Sequence, residues 1–122
     1  MLVVDDEWAI AAVLADLLTD EGYGVLSASN GRDALAMLEA HPDVVLVVLD
    51  YMMPIMDGVA TLAAIRARPQ FADLPVIMMT SLPQSSLQVD PDSYDAFLRK
   101  PFLIDDILRA IELVFARRRP RS

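Results

Sequence analysis

Residues 44–58 read VVLVVLDYMMPIMDG. Six apolar residues, Val44 to Leu49, run unbroken into Asp50, and a Met-Pro pair and an Asp-Gly follow within eight positions. A short apolar run bounded by turn residues reads as a strand. Its lack of alternation predicts burial on both faces, as in a parallel sheet covered by helices. A carboxylate at the end of such a strand is costly unless it is paired or holds a metal. Asp50 therefore needs a partner, and the rest of the chain has to supply it.

Outward from this stretch, apolar runs and amphipathic segments alternate. LVV at 2–4 is a first strand, and Ile10, Val13, Leu14, Leu17 and Leu18 recur at helical spacing until Gly22 and Gly24 interrupt them. VLSA at 25–28 is a second strand. Asn30 then caps a helix with Leu35 and Leu38 on one face. After Asp57-Gly58, the residues Val59, Leu62, Ala63 and Ile65 predict a third helix that stops near Pro69. A fourth strand spans Val76 to Thr80, and AFLRKP at 96–101 is a short fifth ending at Lys100-Pro101. Ile104, Ile107, Leu108, Ile111, Val114 and Phe115 form the cleanest helical stripe. Strand and helix repeated in this way predict an α/β fold with an open, doubly wound parallel sheet and helices on both faces.

A chain of 122 residues, 55% hydrophobic and 23% charged, is the size and composition of one folded domain. It has no cysteine, hence no disulfide framework and no thiolate metal site. No apolar run approaches the length of a membrane span, and Asp5 comes too early for a signal peptide. The expectation is a cytoplasmic protein without a membrane. The net charge of -8 argues against direct nucleic-acid binding by this domain. The exception is the end of the chain, where Arg117, Arg118, Arg119 and Arg121 gather. They read either as a helix end meeting its own dipole or as a basic contact patch or linker stub.

In open parallel sheets the functional groups lie beyond the carboxyl ends of the strands. That rule selects Asp5 and Asp6 after strand one, Asp50 after strand three, Thr80 after strand four and Lys100 after strand five. Three carboxylates crowded together raise one another's pKa unless a cation sits among them. An all-oxygen set with room for water suits Mg²⁺, with Mn²⁺ the alternative. Lys100 offers a point charge for a phosphoryl oxygen, Thr80 offers a hydroxyl donor, and Asp50 can act as an aspartyl nucleophile. The competing reading of Asp5 and Asp6 is that they simply cap the helix beginning near Glu7.

These residues carry a resemblance. VVDDE at 3–7, LDYMMPIMDG at 49–58, VIMMTS at 76–81 and FLRKPF at 97–102 together resemble the response-regulator receiver domains of two-component signal transduction, chemotaxis regulators among them, from Val3 to Phe115. The resemblance implies a flavodoxin-like five-stranded sheet of order 2-1-3-4-5 that serves as a phosphorelay receiver. It implies transfer from a histidine kinase or histidine phosphotransfer protein to Asp50, giving an aspartyl phosphate. It makes Asp6 and Asp50 direct Mg²⁺ ligands, Asp5 a ligand through water, and the Met52 carbonyl the remaining protein ligand. Thr80 and Phe97 become the switch residues and Lys100 the phosphate-pairing lysine. Such a protein is no enzyme beyond its own phosphorylation and dephosphorylation, and it is expected as a monomer or weak dimer. Residues 1–116 are taken as the domain and 117–122 as a basic tail or linker stub, with the output protein or a removed output domain unidentified.

Two alternatives stay open: a receiver-like interaction module that takes no phosphate, and a haloacid-dehalogenase-type phosphatase, which wants a second acid where Met52 stands. Two departures also stand out. SLPQSSLQVDPDSYD at 81–95 carries Pro83 and Pro91 and lacks helical periodicity, so the helix expected before strand five should be short, displaced or irregular. Met52, two after the acceptor, and Leu82, two after Thr80, are apolar at places where the resemblance implies an influence on attack by water, which predicts a long-lived phosphorylated form. Pro54 is expected to shape the turn after Asp50, Asp57 to cap a helix, and His41 to lie exposed in a loop.

Overall fold

Five runs of apolar residues pair edge to edge because each is too short to bury itself, and amphipathic helices cover the two faces that result. The structure, a computed structural model, describes residues 1–53 and 55–117. Its elements are β1 (Leu2–Val4), α1 (Trp8–Asp20), β2 (Leu26–Ala28), α2 (Gly31–Ala40), β3 (Val47–Asp50), α3 (Gly58–Ala67), β4 (Val76–Thr80), β5 (Ala96–Arg99) and α4 (Ile104–Arg117). The strands form one parallel sheet of order β2-β1-β3-β4-β5, with Leu2 opposite Val47, Val47 opposite Val76 and Ile77 opposite Ala96.

The central strands are buried on both sides. Val3, Val48, Ile77, Met79 and Leu98 pack with Leu14 and Leu18 of α1 and Ile107, Ile111 and Val114 of α4. Leu2, Val4, Val47, Leu49, Val76 and Met78 pack on the other face with Ala34 and Leu38 of α2 and Leu62 and Ile65 of α3. Each fully buried aliphatic side chain contributes about 1.5–3 kcal/mol, so β3 can hold a costly charge at its end.

β3 begins three residues later than the apolar run. Val44 N still donates to His41 O at 3.2 Å within the turn after α2, and Val45 is 56% exposed. Ladder pairing starts where Leu2 N reaches Leu46 O at 2.9 Å. Leu35 is only partly buried, because α2 presents Gly31, Ala34 and Leu38 to the sheet instead.

No α-helix stands between β4 and β5 among the described residues. Two 3₁₀ turns, Gln84–Ser86 and Pro91–Ser93, take its place. Pro83 and Pro91 supply no N–H, and the segment has too few apolar residues for a helical face. Leu87 and Val89 still dock on the face covered by α2 and α3. The far end is clamped by Arg66, which donates to Ser93 O at 2.9 Å and to Leu74 O at 2.6 Å and meets the Asp95 carboxylate at 3.4 Å. Asp95 in turn accepts from Val76 N at 2.8 Å.

Arg117 lies in the last turn of α4 and donates to Asp95 O at 3.3 Å, one residue beyond the boundary expected at 116. Pro54, Arg118, Arg119 and Arg121 lie outside the described residues.

Candidate functional site

Because all five strands run the same way, their carboxyl ends share one rim. β1 delivers Asp5 and Asp6, β3 ends on Asp50, β4 ends on Thr80 and β5 delivers Lys100. The rim is stitched together by backbone hydrogen bonds: Asp5 N to Ala28 O at 3.1 Å, Tyr51 N to Met79 O at 2.9 Å and Lys100 N to Thr80 O at 2.8 Å.

One carboxylate oxygen from each of Asp5, Asp6 and Asp50 lies within 4.8 Å of the others. Asp5 and Asp50 are buried, at 1% and 4% exposure, while Asp6 is exposed. Lys100 Nζ bridges the two buried acids, 3.0 Å from Asp5 Oδ2 and 3.4 Å from Asp50 Oδ2. The remaining oxygens are held by the backbone: Asp5 Oδ1 accepts from Glu7 N at 2.9 Å, and Asp50 Oδ1 accepts from Met52 N at 3.2 Å. The cap position of α1 is Glu7, which makes no side-chain cap bond. Asp5 therefore turns the chain into the helix with one oxygen and faces the rim with the other.

Burial pushes the Asp50 carboxyl up to about 6; the neighbouring Lys100 opposes this and Asp5 adds to it. Burial alone would lower the Lys100 ammonium, but its hydrogen bond to Asp5 and the charges of both carboxylates outweigh that and hold it above its ordinary value. One ammonium set against three acids leaves the cluster short of positive charge. The donors are all oxygen and Asp6 keeps one side open to water, so the residues fit a hydrated hard divalent cation.

The loop after Asp50 is built around a close approach. Gly58 N donates to Tyr51 O at 2.9 Å, and a Cβ at Gly58 would come within 2.6 Å of Tyr51 Cα and 2.7 Å of Asp50 O. Asp57 caps α3 by accepting from Ala60 N at 2.9 Å, as its place before Gly58 predicts. Ile55 takes up the remaining turn with φ 68, an uncommon conformation for a β-branched residue.

Thr80 lies one step past Met79, the partner of Asp50, and its hydroxyl oxygen accepts from Leu82 N at 3.2 Å. The Met52 side chain is 57% exposed, so only its backbone is held at the site. Phe97 lies on β5 two residues before Arg99, the partner of Thr80. It pairs with Met78 further back along the sheet and sits half-buried in the cluster that includes Tyr51, Leu87 and Val89. His41 is exposed at the end of α2, away from the acidic cluster in the sequence of elements.

Two residues escaped the motif-based reading. Tyr51, next to Asp50, accepts through its hydroxyl from Gln88 N at 3.0 Å, and Arg66 clamps the end of the 81–95 segment. The position of Tyr51 beside the acid was a usable signal. Arg66, a lone cation near the end of an apolar helix, was a weaker one.

Residues 1–112 match the family described as "Response regulator receiver domain". The "Probable transcriptional regulator ycf27" of Porphyra purpurea is 37% identical over 123 residues, covering 96% of this chain and 47% of the relative, so the chain spans about half that protein's length. Among solved structures, the chemotaxis response regulator CheY4 of Vibrio cholerae superposes with a TM-score of 0.86 at 30% identity, covering 93% of this chain and 95% of the other. The CheX-CheY-BeF3-Mg+2 complex from Borrelia burgdorferi gives 0.83 at 29% identity, with coverage of 93% and 87%. With the acidic rim, the strand order and the family match over residues 1–112 in agreement, this chain belongs to the response-regulator receiver domains.

Proposed function

We propose that Asp50 is the phosphoacceptor of this receiver and that a histidine kinase or histidine phosphotransfer protein is its donor. The carrying observation is the Lys100 ammonium bridging Asp5 and Asp50 beside a three-carboxylate cluster. In the transfer, an Asp50 carboxylate oxygen forms a bond to phosphorus as the P–N bond of the donor phosphohistidine breaks. Asp5, Asp6, Asp50 and the Met52 carbonyl are the protein groups for Mg²⁺, which when bound neutralises charge on the phosphoryl oxygens. Lys100 exchanges a carboxylate partner for a phosphoryl oxygen, and Thr80 donates its hydroxyl to another.

Release of Lys100 from Asp50 and the inward turn of Thr80 leave room for Phe97 to follow, which shifts the population between two arrangements of the surface near β5. The chain catalyses only its own phosphorylation and dephosphorylation, and it acts in the cytoplasm on an output protein or an attached output domain, as a monomer or weak dimer. It has no direct contact with nucleic acid.

Incubation with Mg²⁺ and acetyl phosphate followed by intact mass tests this reading. A gain of one phosphoryl group that depends on Mg²⁺ and is absent from Asp50→Ala supports it. No gain in the wild type would favour the interaction module that takes no phosphate, and a gain that survives Asp50→Ala would move the acceptor elsewhere.

A further inference from the structure

The segment between β4 and β5 raises a question of coupling, because it lacks the rigid helix that could carry a movement from the rim. Its internal backbone bonds are few: Ser86 N to Pro83 O, Leu87 N to Gln84 O and Ser93 N to Asp90 O. Gln84 Nε2 reaches Tyr94 Oη at 2.9 Å across its base, and Arg66 holds its far end. Between these anchors, Gln88 N finds its acceptor outside the segment, in the hydroxyl of Tyr51.

Tyr51 is placed to feel the state of Asp50. The peptide unit joining Tyr51 to Met52 is pinned on both sides: its N–H donates to Asp50 Oδ1 at 3.2 Å, and its C=O accepts from Gly58 N at 2.9 Å. Phosphorylation of Asp50 turns its carboxylate into an acyl phosphate whose carbonyl oxygen is a neutral acceptor, and a hydrogen bond to a neutral acceptor is roughly half as strong as one to a charged one. The pin on the Asp50 side loosens while the pin on the Gly58 side remains. The Tyr51 side chain packs against the same buried cluster as Leu87, Val89 and Phe97, and its hydroxyl reaches the segment at Gln88 N, 3.0 Å away.

We propose that Tyr51 is a positioning residue that couples Asp50 to the 84–94 segment through the hydrogen bond from the Gln88 amide to the Tyr51 hydroxyl. This rests on Asp50 being the acceptor. In the resting protein the bond holds the segment against the cluster, and loading of Asp50 shifts Tyr51 and releases or re-seats it. The segment then changes shape without a helix having to move as a body.

Tyr51→Phe keeps the ring and deletes only the acceptor. Amide exchange and chemical shifts of residues 84–94, followed by NMR with and without Mg²⁺ and beryllofluoride, read the coupling directly. In the wild type, beryllofluoride should shift the Gln88 amide and speed its exchange. In Tyr51→Phe the Gln88 amide should already exchange about five-fold faster before any addition, and most of the beryllofluoride response of the segment should be lost. Intact mass should meanwhile show the same acetyl phosphate labelling of both proteins. A segment that responds equally in both proteins would overturn the coupling while leaving Asp50 as acceptor. A wild type that takes no phosphoryl group would overturn the acceptor reading and the coupling with it, and the mass measurement tells the two failures apart.

Discussion

Asp50 carries a cost that the metal-free protein cannot avoid at neutral pH. Its folded-state value, raised from 3.8 to about 6, means that folding favours the protonated form. That stabilisation is complete below about pH 4 and is lost as the pH rises through 6. Without divalent metal, Asp50→Asn should therefore raise stability at pH 7.5 by about 1–3 kcal/mol, with the gain vanishing near pH 4; thermal melts in chelator at the two pH values check this. Divalent metal binding, which needs the carboxylate, should weaken below about pH 6, and calorimetric titration of Mg²⁺ at pH 5 and 7.5 measures the difference. Met52, two residues after Asp50, and Leu82, two after Thr80, carry no polar side-chain group to orient water. Replacing them together by Met52→Asn and Leu82→Glu should speed loss of the phosphoryl group about ten-fold or more, a rate step of the size one positioned polar group supplies. Equal decay of variant and wild type would remove the two side chains from the explanation. Ile55, at φ 68 and 72% exposed, holds a strained conformation with little packing in return. Ile55→Asn should raise stability by about 1 kcal/mol, read from denaturant midpoints at unchanged slope.

At the scale of elements, the site depends on how closely α3 approaches the end of β3. Gly58 and its cap, Asp57, start the helix against the backbone of Asp50 and Tyr51, where a methyl group has no room. Gly58→Ala should cost about 2–4 kcal/mol despite the better helix propensity of alanine, because the obstructing atoms are backbone. The same variant should weaken Mg²⁺ binding, since the displaced loop carries the Met52 end of the site. A helix-propensity gain with undisturbed metal binding would show that the close approach is not required. The segment between β4 and β5 illustrates the opposite strategy. It gives up helical structure, and Arg66, Asp95, Tyr94 and Tyr51 hold it by individual hydrogen bonds.

Across the whole molecule, the parallel sheet is what turns scattered acids into a site. Strand positions and the rim residues were legible because apolar runs ending in Asp5, Asp50, Thr80 and Lys100 obey simple rules of burial and strand polarity. The proline-broken 81–95 segment was legible as a failure of helical periodicity. Its fastening was not: Arg66 and Tyr51 act across distances that no local pattern encodes. The true start of β3 was also hidden, because Val44 and Val45 are as apolar as Val47 and only the pairing partner of Leu46 separates turn from strand. Phe97 was legible as a strand-five residue, yet its place on the same buried face as Tyr51, Leu87 and Val89 emerged only from packing. Under the proposed function, all of this serves one chemical event at one atom. Reduction of the freshly phosphorylated protein with borohydride converts an aspartyl phosphate to homoserine, and tandem mass spectrometry of the peptides then locates it. Homoserine at position 50, and at no other acid, is the expected result; homoserine at Asp5, Asp6 or Asp57 would contradict Asp50 as the acceptor.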